Sequence, residues 1–252
     1  MPDAPPSLEP SPAAADIVNT TGFTGTVVVL NRNAGRWTAG DAELAMQPFI
    51  PASTFKIFSS LVAVETGVAP PHADGLVPWD GRASSRPVID RNLSLREAFR
   101  LSAVPHYQAM VREIGARRMQ AFIDEAGYGN GDLSGGIDQF WLTGGLRIAP
   151  VEQIAFLQRL HRGELPFSAQ TMATVRDIMS VEVGDDYRIR AKTGWAVTDR
   201  DLNTGWWVGQ VEKSDNVWFF ASLLQSREPD DSFGAARLAV ARRTLESMGV
   251  LG

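Results

Sequence analysis

A nucleophile and a base stand three positions apart in the segment Pro51–Lys56 (PASTFK). On a helix, Ser53 and Lys56 share one face, so their polar ends can meet. A serine in the first helical turn also lies near unpaired backbone N–H groups, which stabilise a developing oxyanion. These are the groups that acyl transfer requires. The motif S-x-x-K is short, however, and a helix-capping serine followed by a solvated lysine also fits it.

The scarcity of lysine points to the same residue. The chain has 24 Lys and Arg residues, but its lysines are Lys56, Lys192 and Lys213 alone. A coding preference for arginine explains this bias without any function. A buried lysine can nevertheless lose its proton, which arginine does not. The apolar residues after Lys56 predict a core helix, so we expect a partly desolvated amine that is shifted toward its neutral form.

Two more polar motifs lie far along the chain. The segment Lys192–Trp195 (KTGW) falls on a strand-like run, where a cation, a hydroxyl and a glycine suit the docking of an anionic substrate. An ordinary strand with a glycine bulge explains it as well. Ser102–Val104 (SAV) begins a turn and has little specificity alone. A Ser-Asp-Asn triplet at 214–216 follows both, and we interpret it as a hairpin turn.

The elements that must position these motifs are strands at both ends of the chain and helices in the middle. Residues 1–15 contain five prolines and predict a flexible tail, and 16–252 predict one domain. Its sheet region is predicted over about 16–52 and 180–252, and its helical region over about 53–179. This order predicts a mixed α/β fold of the α+β type: a central antiparallel sheet, flanked by N- and C-terminal helices, with an inserted all-helical subdomain.

Hydrophobic periodicity and turn residues predict the individual elements. A hairpin is predicted from Thr24 to Trp37, and a helix from Ser53. The remaining predicted elements are the helices Leu95–Leu101, Tyr107–Arg118, Val151–Leu160 and Leu238–Met248 and the strands Tyr187–Val197, Leu202–Glu212 and Val217–Gln225.

Composition excludes several classes of function. The net charge of -5 offers no basic surface to nucleic acid, and the absence of cysteine excludes disulfide scaffolds, thiolate metal sites and a cysteine nucleophile. No apolar run approaches the length of a membrane helix, so we expect no membrane insertion. His72, His106 and His161 have no metal-ligand spacing, and we expect them at the surface. The start of the chain lacks the pattern of a secretory signal.

In combination, the motifs resemble those of the class D serine β-lactamases, the oxacillinases, from roughly Gly22 to the C-terminus. The matching segments are Pro51–Lys56 (PASTFK), Ser102–Val104 (SAV), Tyr128–Asn130 (YGN), Phe140–Leu142 (FWL), Lys192–Trp195 (KTGW) and Gly205–Gly209 (GWWVG). The resemblance implies the fold of serine β-lactamases and penicillin-binding transpeptidases. It also implies hydrolysis of the β-lactam amide of penicillin-type antibiotics through an acyl-serine intermediate.

The resemblance assigns roles to the hydrolytic residues. Ser53 would be the acylated nucleophile. Lys56 would be N-carboxylated by carbon dioxide or bicarbonate, and its carbamate would be the general base of both acylation and deacylation. The indole N–H of Trp141 would hold the carbamate, with Val104 and Leu142 as apolar walls. An ordinary core aromatic is the alternative for Trp141.

The resemblance also assigns residues to the substrate. Ser102 and Lys192 would relay a proton to the β-lactam nitrogen, and the backbone N–H groups of Ser53 and Trp195 would form the oxyanion hole. The implied substrate-binding residues are Thr193, Gly194, Trp195 and Arg237. Arg237 would hold the substrate carboxylate together with Thr193, although a solvated helix-face arginine is the alternative.

Some positions depart from the family pattern or have no role assigned by it. Gln210 and Val88 stand where we expect aromatic residues, and His106 is expected to line the mouth of the site. These positions leave the substrate range, including carbapenems, undefined. We expect a monomer or homodimer in the bacterial periplasm, with no metal, organic cofactor or nucleic-acid partner. A β-lactam sensor domain that acylates without turnover and a D,D-peptidase remain alternatives.

Overall fold

The computed structural model describes residues 6–198 and 201–252. The strands are β1 (Leu8–Pro10), β2 (Thr24–Asn31), β3 (Arg36–Ala39), β4 (Leu76–Val77), β5 (Leu93–Ser94), β6 (Ser180–Val183), β7 (Tyr187–Thr198), β8 (Leu202–Lys213) and β9 (Asn216–Ser226). The central sheet has the strand order β1-β3-β2-β9-β8-β7-β6, while β4 and β5 form a small hairpin-like pair. Neighbouring strands of the central sheet are antiparallel, except β1 and β3, which are parallel.

Helices cover both faces of the central sheet. The α-helices are α1 (Pro12–Asn19), α2 (Ala42–Met46), α3 (Lys56–Glu65), α4 (Leu95–Arg100), α5 (Val104–Ile114), α6 (Ala116–Ala126), α7 (Pro150–Arg162), α8 (Ala169–Ile178) and α9 (Phe233–Ser247). Short 3-10 helices occur at Ala52–Phe55 and Pro87–Ile89. The expected fold class is confirmed: a central, mainly antiparallel sheet is combined with a helical region inserted between its strands.

Alternation of side chains along the strands explains how the sheet acquires two buried faces. In β2, Val28 and Leu30 belong to the apolar cluster that contains α3 and the other helices of the insertion. Val27 and Val29 point to the opposite face and pack in the cluster formed with α1 and α9. Successive residues of a strand face opposite sides, so continuous β-branched and aromatic runs supply both layers at once.

The predicted flexible tail is wrong from Leu8 onward. Residues 8–10 form β1, which pairs with β3, and Ser11 caps α1 by accepting a hydrogen bond from the backbone N–H of Ala14. Pro12 stands at the first helical position, where a proline costs no hydrogen bond. Pro12 therefore marks a helix start. Residues 1–5 of the predicted tail lie outside the described residues.

Two predicted helix boundaries also need correction. The predicted helix Tyr107–Arg118 is two helices, α5 and α6, because Gly115 between them adopts a positive φ of 80°. The final helix begins at Phe233, earlier than predicted, and is followed by Gly249 with a φ of 70°. The three predicted C-terminal strands and the hairpin from Thr24 are confirmed, and Ser214 and Asp215 lie in the turn between β8 and β9. Across residues 6–198 and 201–252, every helix is too short or too polar to cross a bilayer.

Candidate active site

The serine nucleophile lies on a 3-10 turn directly before a buried helix. The sequence predicts a helix from Ser53, and the structure refines this: Ala52–Phe55 form the 3-10 turn and α3 starts at Lys56. Ala52 has a positive φ of 49°, which is uncommon for a residue with a side chain and typical of constrained functional turns. The predicted i, i+3 contact is present, since Lys56 Nζ donates to Ser53 Oγ at 2.9 Å.

Lys56 is enclosed completely, as its apolar flanks predict. Its side chain is fully buried, and Nζ lies 5.1 Å from the centre of the Tyr107 ring. Burial and, to a smaller extent, the positive charge of Arg86 together lower the pKa of Lys56 from 10.5 to about 7. A large fraction of Lys56 is therefore a neutral amine near neutral pH, which can accept a proton from a neighbouring hydroxyl.

A second serine–lysine pair lies beside the first, and its serine, Ser102, lines the same cleft as Ser53. Lys192 Nζ donates to Ser102 Oγ at 2.5 Å, and to Thr193 O and Oγ1 at 3.1 and 3.2 Å. Burial lowers the pKa of Lys192 well below its usual value, with further contributions from the charges of Lys56, Arg237 and Arg86. Ser102 adopts a positive φ of 51° in the turn before α5, a strained conformation that aims its hydroxyl at Lys192.

Strand β7 presents backbone donors toward the nucleophile. It pairs with β8 in continuous register, and the N–H of Ala191 donates to Met179 O (2.9 Å) on the side away from β8. Alternate residues of an antiparallel strand direct their backbone groups to the same side, so the N–H of Trp195 also points away from β8. Pairing with β6 reaches only as far as Arg190, which leaves this part of β7 bordering the cleft. The N–H of Trp195, the expected oxyanion donor, therefore points away from β8 on the part of β7 that borders the cleft.

Gly194 allows β7 to approach the nucleophile turn. A Cβ atom at this position would lie 2.9 Å from the carbonyl oxygen of Pro51 and 3.1 Å from a methyl group of Thr54. Any other residue would push the strand and the turn apart. The glycine of the KTGW segment therefore serves close backbone contact, and no bulge interrupts the pairing of β7 with β8.

Arg237 lies in the cleft and not on a solvated helix face. From α9 it donates through Nη1 to the carbonyl oxygen of Gly194 and through Nε to that of Gly234 (3.0 Å). Its guanidinium stands 5.3 Å from the centre of the Trp195 ring, and burial lowers its pKa. These contacts hold a planar cation beside Thr193, in a position suited to a carboxylate.

Trp141 is buried and leaves its polar atom without a partner. Its indole stacks on Phe55, the residue that precedes Lys56, with ring centres 5.4 Å apart. In the described part of the chain, the buried Nε1 has no hydrogen-bond acceptor. Such groups are rare in proteins and indicate an absent acceptor or a functional role. Of the expected apolar walls, Val104 lines the cleft and Leu142 packs, partly buried, against the core cluster that contains Trp141.

The cleft has a volume of about 380 Å³ and is bordered by Ser53, Ser102, Val104, Thr193, Gly194, Trp195 and Arg237. The structure adds residues that the motifs did not indicate. Arg86, Arg100 and Leu101 also line the cleft. Arg100 and Leu101 directly precede Ser102, which is a sequence signal for their position, whereas Arg86 stands in a loop with no such signal.

Some expected surface or site positions differ in the structure. His106 is buried on α5 and bonds through Nε2 to the carbonyl oxygen of Arg91 (2.9 Å), so it neither lies at the surface nor lines the cleft. Gln210 is buried too, and its Nε2 donates to Glu212 at 2.7 Å and lies 3.1 Å from Nδ1 of His161. Within the two described ranges, no group of three or more acidic or histidine side chains is arranged to hold a metal ion.

Comparisons with known proteins agree with this geometry. The penicillin-binding protein transpeptidase domain matches residues 24–246. Beta-lactamase OXA-48 of Klebsiella pneumoniae is 39% identical over 227 residues, covering 90% of this chain and 84% of that protein. The crystal structure of the class D β-lactamase YbXI from Nostoc is 44% identical, with a TM-score of 0.89, and the match covers 94% of this chain and 99% of that one.

A regulatory protein shares the same fold region. BlaR1 of Bacillus licheniformis is 31% identical over 217 residues, which are 86% of this chain but 36% of that longer protein. The match to OXA-48, in contrast, extends over most of both chains. From the order of the motifs, the fold and these matches, the chain belongs to the penicillin-binding transpeptidase domain family and, within it, to the class D β-lactamases.

Proposed function

We propose that this protein hydrolyses the amide bond of penicillin-type β-lactams through an acyl-Ser53 intermediate. The observation that carries the proposal is the pair of lysine–serine contacts whose two serines line one cleft, 2.9 Å for Lys56–Ser53 and 2.5 Å for Lys192–Ser102. The first pair can activate a nucleophile, and the second can deliver a proton to a leaving nitrogen.

Acylation begins with the attack of Ser53 Oγ on the β-lactam carbonyl carbon. The hydroxyl proton passes to the side chain of Lys56, and the N–H groups of Ser53 and Trp195 stabilise the negative carbonyl oxygen. The C–N bond of the ring then breaks. Ser102 gives its hydroxyl proton to the nitrogen and regains one from the ammonium form of Lys192, whose lowered pKa favours proton release.

Arg237 and Thr193 orient the substrate through its carboxylate. The guanidinium is fixed by its bonds to the carbonyl oxygens of Gly194 and Gly234, so little side-chain entropy is lost on binding. The hydroxyl of Thr193 lies on the same strand edge. A substrate held there places its ring carbonyl between the two oxyanion donors, because both are contributed by the adjoining β7 edge and Ser53 turn.

The surroundings of Lys56 fit carboxylation by carbon dioxide. Addition requires a neutral amine, which a pKa of about 7 provides, and a carbamate requires a hydrogen-bond donor, which the unpartnered Nε1 of Trp141 can supply. When present, the carbamate supplies an oxygen base near Ser53. Before deacylation, the proton that Lys56 gained in acylation passes through solvent to Lys192, which had lost one. The Lys56 side chain then takes a proton from water as the water oxygen bonds to the ester carbonyl carbon, and it returns this proton to Ser53 Oγ when the ester C–O bond breaks.

A β-lactam sensor that acylates and does not turn over is the alternative that the match to BlaR1 favours. The two functions differ in deacylation alone. They are distinguished by mixing the protein with benzylpenicillin in carbon-dioxide-free and bicarbonate-supplemented buffer. Stopped-flow absorbance follows ring opening, and intact-protein mass spectrometry follows the adduct on Ser53.

A hydrolase gives many turnovers, which increase with bicarbonate. We expect Ser53→Ala to form no adduct and Lys56→Ala to lose deacylation. Lys213→Ala is the matched control, because Lys213 lies at the end of β8 and bonds to Val250 O and Asp186 outside the cleft. A single burst that leaves a stable adduct on the unaltered protein would instead assign the sensor function.

We also propose that the protein acts in the periplasm, as a monomer or homodimer. β-Lactams meet their cell-wall targets in that compartment, so a protective hydrolase acts usefully there. Cell fractionation locates the protein, and light scattering coupled to size-exclusion chromatography gives its mass. Recovery of all activity in the cytoplasmic fraction would contradict the location.

A further inference from the structure

The cleft contains more positive charge than one substrate carboxylate needs. Arg86, Arg100 and Arg237 line it, and its lining in the described part of the chain includes no Asp or Glu, although the whole chain has a net charge of -5. Arg237 on the β7 side accounts for the carboxylate of the fused ring. Arg86, in the loop before the 3-10 helix Pro87–Ile89, and Arg100, at the end of α4, line the cleft from the helical insertion, which we call the helical wall.

In the part of the chain that the structure describes, these two arginines have no ion-pair partner, unlike Arg91 and Arg96. Arg96 on α4 is paired with Asp177 (2.6 Å), and Arg91 is paired with Glu97 (2.8 Å). Among residues 6–198 and 201–252, neither Arg86 nor Arg100 forms an ion pair, and both side chains are exposed. Their charges are therefore available to a ligand in the cleft.

The backbone around Arg86 is held in place. Its N–H donates to Ser84 Oγ (3.0 Å), and that hydroxyl donates back to the carbonyl oxygen of Arg86 (3.2 Å). The Asp90 carboxylate accepts from the N–H of Ser84 at 2.9 Å and so fixes the same loop. Arg86 also contributes to the lowered pKa of Lys56, after burial, which is consistent with a guanidinium close to the cleft. Arg100 is fixed as the last residue of α4.

We infer that Arg86 and Arg100 form a second anion subsite on the helical wall of the cleft, which favours β-lactams that carry another carboxylate besides that of the fused ring. The inference rests on the proposed function, since the first carboxylate must lie at Arg237. With Arg237 binding one carboxylate, Arg86 and Arg100 can bind the second carboxylate of a dianion whose β-lactam ring lies at Ser53. Arginine suits this use because its planar donors bind carboxylates in pairs.

The test compares two substrates that differ by one carboxylate, benzylpenicillin and its α-carboxy derivative. The selectivity is kcat/KM for the α-carboxy derivative divided by kcat/KM for benzylpenicillin. Any general effect of a substitution on the catalytic groups cancels in this ratio. We expect the unaltered protein to prefer the dianion at low ionic strength. Arg86→Gln and Arg100→Gln should each lower the ratio about three- to fivefold, as expected for exposed ion pairs. The preference should largely vanish in 1 M salt, where charges are screened within about 3 Å.

Arg117→Gln is the matched control, because it removes the same charge from an exposed position on α6 outside the cleft. It should leave the ratio unchanged, and thermal denaturation verifies that each variant is folded. The inference is overturned if both cleft variants keep the selectivity of the unaltered protein, or if Arg117→Gln lowers it equally. Failure to hydrolyse even benzylpenicillin would instead refute the proposed function.

Discussion

Replacing Lys56 by methionine should make the protein more stable while abolishing turnover. The buried amine has a pKa of about 7 in the folded protein and 10.5 when it is exposed to water in the unfolded chain. Between these values the unfolded chain binds more protons than the folded one, so the free energy of unfolding increases with pH. The destabilising effect of Lys56 is therefore complete below pH 7 and disappears above 10.5. Methionine has a similar length and no charge to desolvate.

The size of the effect follows from the pKa separation. At about 1.4 kcal/mol per pH unit, keeping Lys56 buried costs about 4 kcal/mol at pH 7.5 and about 1 kcal/mol at pH 9.5. Loss of the bond between Lys56 and Ser53 offsets about 1 kcal/mol of this gain. We thus expect Lys56→Met to increase the free energy of unfolding by about 3 kcal/mol at pH 7.5 and by nearly nothing at pH 9.5.

Urea denaturation in carbon-dioxide-free buffer at the two pH values measures this difference. Lys213→Met is the control, since it removes a lysine whose side chain is 25% exposed and whose partner Asp186 is largely exposed. Its effect should stay within about 1 kcal/mol at either pH. The reasoning fails if Lys56→Met is no more stable than the unaltered protein at pH 7.5, or if its advantage is the same at pH 9.5.

Substitutions at three further positions test the site. Trp141→Phe removes the unpartnered Nε1 and should slow deacylation at least tenfold more than acylation in stopped-flow kinetics. A larger effect on acylation than on deacylation would exclude a role for Trp141 in supporting the Lys56 base. Position 102 has a φ of 51°, so Ser102→Gly should be about 1 kcal/mol more stable than Ser102→Ala in urea denaturation. Both variants should be acylated more slowly than the unaltered protein. Equal stabilities of the two variants would show that the strain is absent. Gly194→Ala places a Cβ 2.9 Å from Pro51 O and should reduce kcat/KM at least tenfold, whereas an unchanged value would contradict the need for close approach.

The sequence predicted the local part of the site well and its surroundings poorly. The contact of Ser53 with Lys56 is decided by a three-residue separation, which a 3-10 turn and an α-helix satisfy alike. The contact of Ser102 with Lys192 joins residues 90 positions apart, and no local pattern predicts it. Family resemblance supplied that pairing. The sequence did not predict Arg86 as a cleft residue. Its position depends on hydrogen bonds within its loop, from Arg86 to Ser84 and from Ser84 to Asp90, which the residue pattern does not indicate.

The errors in the fold have the same origin. Prolines near the N-terminus indicated a tail, but Pro12 starts α1, and β1 gains its stability from pairing with β3. The lack of metal-ligand spacing predicts a surface position for His106. In the structure its partner is the carbonyl oxygen of Arg91, in a loop that tertiary packing brings against α5. Periodicity predicts which face of an element is apolar, but it does not predict which backbone hydrogen-bonding groups of a loop lie against the element.

The same charges that destabilise the ammonium form of Lys56 favour a carbamate on it. Arg86 repels a protonated amine at position 56, and Lys192 is coupled to it by mutual repulsion. Carboxylation under the proposed mechanism replaces that positive charge by a negative one, so each repulsion becomes an attraction. Bicarbonate should then stabilise the unaltered protein by mass action and leave Lys56→Met unaffected. Burial is the larger cause of the stability lost to Lys56, and repulsion by Arg86 adds to it. That repulsion becomes an attraction in the carbamate, and a bicarbonate-dependent difference between these two proteins measures the gain.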